Sequence, residues 1–112
     1  MSATAKIQPG PLTVILRYLD GCPNAGLAHT RLAEALRRVG LDPAVIILEE
    51  VSTAADAERL GFSGSPTILI DGHDPFDDNT GHAPAWACRS YQTETGPQGS
   101  PTVVQLEQTL RR

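Results

Sequence analysis

Residues 18–27 read YLDGCPNAGL and hold the first of only two cysteines in a chain of 112 residues. Upstream runs LTVILRYL, residues 12–19, rich in β-branched and large apolar side chains and preceded by Pro11. It reads as a strand buried on both faces, with Arg17 the exception. Downstream, Ala25, Ala28, Leu32, Ala35, Leu36 and Val39 recur on one helical stripe, and Gly40 is a natural stop. Pro23 suits the first helical position, where its missing N–H would be unpaired anyway. Cys22 is therefore the expected N-cap of a helix over 23–39. A thiol there meets unpaired N–H groups and the positive end of the helix dipole, a setting that favours the nucleophilic thiolate.

Further along, AVIILEEV at 44–51 is a second apolar strand. STAADAERLG follows, with Thr53 and Asp56 at capping-box-like spacing and Gly61 ending a helix over 53–60. TILIDG at 67–72 is a third strand that runs into a turn. The next 27 residues, from Gly72 to Gln98, are too long for an ordinary loop. Within them CRSYQT, 88–93, alternates like a short fourth strand, preceded by an excursion over 72–87. SPTVVQLEQTLRR closes the chain as a helix over 101–111, with Ser100 as cap, Pro101 as its start, and Val103, Leu106 and Leu110 as its apolar stripe. The predicted order is β-α-β-α-β-β-α. Two crossovers should give a parallel core and a closing hairpin an antiparallel strand, so the fold class is α/β: a small mixed sheet with helices on both faces. Residues 1–10 read as a flexible lead-in to a single domain over 11–112.

Composition narrows the function. The chain is 40% hydrophobic and 20% charged, with a formal charge of −4. It lacks the basic footprint of a nucleic-acid binder, and no apolar run approaches the ~20 residues of a membrane helix. The polar, proline-broken MSATAKIQPGP does not read as a signal peptide. A cytoplasmic protein with mostly reduced thiols is expected. Eight arginines against one lysine point to a GC-rich, bacterial genome. GFSGSP lacks the lysine of a phosphate loop, and no strand-linked GxGxxG or nucleophile elbow occurs, so no cofactor is implied. His73, Asp74, Asp77, Asp78 and His82, with Cys88, match no zinc template, and the loop carrying them reads as solvated, with no metal site. His29 reads as a surface residue, Glu49 and Glu50 as solvated, and Trp86 as a pin for the excursion or a pocket wall.

The stretch GSPT, 64–67, enters the third strand from a Gly-Ser turn, and Pro66 is a candidate cis proline beside Cys22. The arrangement resembles the thioredoxin-like family: a first strand, a Cys-Pro turn opening the first helix, and an SPT turn before a later strand, over residues 12 to 111. More closely it is similar to short actinobacterial thioredoxin-like proteins, some labelled alkylmercury lyase. The resemblance rests on DGCPN (Asp20 to Asn24), GSPTILIDG (Gly64 to Gly72), DPF (Asp74 to Phe76), CR.Y (Cys88 to Tyr91) and GSPT (Gly99 to Thr102).

The resemblance implies a catalytic thiol at Cys22, with Asp20, Pro23, Ser65, Pro66 and Thr67 around the substrate. The second cysteine of a Cys-x-x-Cys pair is replaced by Ala25. Cys22 then works as a monothiol, is resolved by Cys88, or shares a soft metal with Cys88. A plain antiparallel fourth strand would start Cys88 more than ~10 Å from Cys22; an excursion folded back over the active end would let them meet. Expected partners are a small thiol, a thiophilic ligand or a protein disulfide. The alternatives are an organomercurial lyase using Cys22, Cys88 and Asp20, and a non-catalytic interaction module.

Overall fold

The computed structural model describes residues 12–76 and 86–111. The lead-in and residues 77–85 of the excursion, with Asp77, Asp78 and His82, lie outside the described residues. In chain order the elements are β1 (Val14–Tyr18), α1 (Pro23–Arg38), a 3-10 turn (Pro43–Val45), β2 (Ile46–Glu50), α2 (Ala54–Leu60), β3 (Thr67–Ile70), β4 (Tyr91–Thr93), β5 (Gly96–Gln98) and α3 (Val103–Arg111). The result is a small mixed α/β protein.

Strand β1 is central, parallel to β2 and antiparallel to β3. The expected parallel core is thus corrected at β3, and the length of α2 gives the reason. Seven helical residues rise only about 10 Å, too little to carry the chain back along a five-residue strand of roughly 17 Å. The chain leaves β2, turns over at the same end of the sheet, and re-enters there as β3. The second correction concerns residues 88–93. Only Tyr91–Thr93 is strand, and it pairs with β5 in a separate two-stranded ribbon (Tyr91 opposite Gln98, Thr93 opposite Gly96).

Burial follows strand parity. Val14 and Leu16 of β1, with Ile68 and Ile70 of β3, form one core with Ala28, Leu32, Ala35 and Leu36 of α1 and Leu106 and Leu110 of α3. The other face carries Arg17, whose guanidinium pairs with Glu49 across the strands and reaches the Leu60 carbonyl at the end of α2. There Val51, Ala57 and Phe62 make a smaller cluster, packed by Leu19 and Leu60. Ile15 is only partly buried, so β1 is not sealed on both sides. Strand β2 is an edge, with Ile47 and Leu48 52% and 55% exposed.

Local chemistry sets the ends. Cys22 is the N-cap of α1, followed by proline. The Thr53 hydroxyl accepts from Asp56 N at 3.0 Å, and Gly61 closes α2 at φ 65°. Helix α3 starts later than expected. Thr102, not Ser100, precedes it, and Thr102 and Gln105 bond reciprocally (Gln105 N to Thr102 Oγ1, 3.2 Å; Thr102 N to Gln105 Oε1, 2.9 Å), a capping box. Ser100 is fully buried and its hydroxyl donates to the Pro101 carbonyl. After β3, Asp71 and Gly72 both take positive φ (52° and 84°) and close Ile70 onto His73 in a tight turn, as Asp-Gly favours.

Leu36 lies at the centre of the larger core and Leu48 on the open edge. Leu36→Ala should therefore cost roughly 2–5 kcal/mol in urea unfolding, while Leu48→Ala should stay within about 0.5 kcal/mol of the parent.

Candidate functional site around Cys22 and Ser65

The end of β1, the start of α1 and the start of β3 converge. The Cys22 N–H donates to the Leu19 carbonyl at 3.1 Å, and the Leu19 N–H donates to the Ser65 hydroxyl at 3.0 Å. The Ser65–Pro66 peptide is cis, as GSPT suggested. Cys22 is partly exposed, Asp20 and Pro23 are exposed, and the Cys22 side chain makes no capping hydrogen bond of its own. The neighbouring Asn24 side chain lies against Gly99, where an added Cβ would fall 2.2 Å from it.

Cys88 belongs to this end of the sheet. Its neighbours pair with Ser65 in a parallel bridge: Ser65 N donates to the Ala87 carbonyl at 2.7 Å, and Arg89 N to the Ser65 carbonyl at 2.9 Å. Cys88 is exposed beside Ser65. Ser65, Pro66 and Thr67 are themselves buried. Their wall is covered by the chain's own residues 87–91.

The cover is locked by groups that sequence reading missed. Arg89 pairs with Asp74 at 2.6 Å, with both side chains little exposed, and its guanidinium lies 4.4 Å from the centre of the Tyr91 ring. Asp74 is thus engaged in a sheltered ion pair and is not a solvated loop residue. The Tyr91 hydroxyl donates to the Pro66 carbonyl, and Phe76 meets the Tyr91 ring edge-on at 5.5 Å. Burial pushes the Tyr91 hydroxyl well above its usual range, Arg89 pulls it back, and Asp74 raises it again. Below that range the phenol stays a donor. Gly64 makes the approach possible: it has φ +116°, and a Cβ there would sit 2.9 Å from that of Arg89. The DPF and CR.Y motifs were visible in the sequence as separate signals; their contact was not.

Trp86 takes both of its expected roles. Its indole N–H donates to the Val51 carbonyl at 3.1 Å, and it walls a cavity of about 200 Å³ with Leu19, Asp20, Glu50, Val51 and Ser52. Among the described residues no group of three or more His, Cys, Asp or Glu is gathered as a metal site. None of their helices is long and apolar enough to cross a membrane. His29 is exposed on α1, and Glu49 is held by Arg17. Comparison with family models, curated proteins and solved structures returns no match.

Three substitutions test the lock. Asp74→Ala removes the carboxylate that Arg89 pairs with and should cost roughly 2–4 kcal/mol. Gly64→Ala should cost about 1–3 kcal/mol, read by urea unfolding. Tyr91 supplies a pH test. Its folded value is raised above the unfolded ~10, so the folded state holds the proton more tightly. Stability is then intact below about pH 10 and falls as pH rises past it, by up to about 1.4 kcal/mol per pH unit. Tyr91→Phe should flatten that alkaline fall; an unchanged slope would assign the effect elsewhere.

Proposed function

We propose that this chain is a thioredoxin-like thiol protein, and that the sulfur of Cys22 attacks a disulfide or captures a thiophilic group. The observation that carries the reading is the position of Cys22, at the start of α1 and one short hydrogen-bonded turn from Ser65. The topology supports it. A central β1 lies between a parallel and an antiparallel neighbour, α1 and α3 share one face, and α2 packs on the other. The departure is at β4, which pairs with β5 and leaves β3 as an edge.

The Cys22 thiolate attacks one sulfur of RS–SR. A Cys22–SR bond forms, the S–S bond breaks, and RS⁻ leaves and takes a proton from water. A second thiolate then attacks the Cys22 sulfur and expels the remaining RS⁻. Cys88 is proposed for that step because it is exposed and both cysteines border the Leu19–Ser65 contact. Cys22 is proposed for the first step because it opens α1 and is partly exposed.

Timed alkylation with iodoacetamide between pH 5 and 9 tests the proposal. Cys22 should be modified first, and Cys22→Ser should remove the fast phase. Cys88→Ser should keep the fast phase but lose the intramolecular disulfide formed with oxidised glutathione. If Cys22 reacts no faster than free cysteine, a non-catalytic interaction module replaces this reading.

A further inference from the structure

With Ser65, Pro66 and Thr67 covered by residues 87–91, one recess beside the Cys22 turn is the cavity between the ends of β1 and β2. Its walls differ in chemistry. Leu19 and Val51 supply an apolar floor, and Trp86 supplies an indole that is 48% exposed yet tethered through its N–H to the Val51 carbonyl. Asp20 and Glu50 bring two carboxylates, both on exposed residues. Among the described residues neither is in a salt bridge, and Glu50 has only a 3.5 Å contact with the Ser52 hydroxyl. Among the described residues no basic side chain lines the cavity.

We propose that this cavity is a binding site for an organic cation, a guanidinium or ammonium group carried by the substrate of Cys22. An indole face attracts such a group through its quadrupole, and carboxylates supply the opposite charge. A volume of about 200 Å³ admits the head of one such side chain and little more. Asp20 is two residues before Cys22, so a bound cation lies on the same turn as the thiol. A basic substrate is favoured and an acidic one repelled. The link to catalysis rests on the thiol reading above, whereas the binding does not.

The chain has a single tryptophan, so its emission reports on this cavity. N-acetyl-arginine amide should change the Trp86 emission saturably, more weakly at high salt, and Asp20→Asn/Glu50→Gln should weaken that response about fivefold. The uncharged N-acetyl-citrulline amide should have little effect. Equal responses to the two amides, no response in the parent protein, or an unchanged response in the double variant would each overturn the proposal. A kinetic arm compares cystamine with bis(2-hydroxyethyl) disulfide. Cystamine should react with Cys22 about fivefold faster after correction for its intrinsic reactivity, with the preference lost in the double variant. An equal corrected rate in the parent separates the cavity from the reaction and overturns its substrate role. If neither disulfide reacts, the thiol reading fails while the fluorescence still decides the cation site.

Discussion

Ser65 has three polar groups, and together they hold two other parts of the chain. Its hydroxyl accepts from Leu19 at the end of β1, its N–H donates to Ala87, and its carbonyl accepts from Arg89. The residue is completely buried. A buried backbone group left unpaired costs about 1–3 kcal/mol, so the three contacts are tightly constrained. Through them the thiol turn, the entry of β3 and the Cys88 segment are assembled around one residue.

The clamp over Ser65 is mixed in character. Arg89 contributes a backbone bond, an ion pair to Asp74 and a cation over Tyr91, while Tyr91 ties down the Pro66 carbonyl. A sheltered ion pair is weak evidence for stability, because desolvation offsets attraction. Its stronger effect is on geometry: the bidentate guanidinium fixes where residues 74 and 89 stand. The cost of that order is a buried proline wall. The gain is a second thiol held at the end of the sheet where Cys22 lies.

Sequence reading reached the elements with strong local signals. The stripe of α1 follows a 3.6-residue period, the Cys-Pro start of α1 follows from proline geometry, and Gly61 ends α2 where expected. The direction of β3 was less visible, because element order alone does not say at which end of the sheet a connection turns. Strand β5 was not expected at all: Pro97 sits opposite Gln92 in a two-stranded ribbon, where a missing N–H is tolerated. The Thr102–Gln105 capping box was legible and went unread in favour of Ser100 and Pro101. The Asp74–Arg89 pair was not legible, because a polar loop gives no sign of which charge will be sheltered. The two sides of the Cys22 site were therefore readable from motifs, and the piece that covers it was not.

The seating of α1 on the last quarter of the chain bears on synthesis. Arg31 donates to Gln98 Oε1 at 2.9 Å, 67 residues away, and to the carbonyls of Ser100 and Pro101. Asn24 rests on Gly99, and Leu106 and Leu110 complete the larger core. A nascent chain that has just emerged through β3 holds the Cys22 sequence but none of these partners. The helix that carries the thiol then lacks the docking surface that residues 98–110 supply in the folded protein.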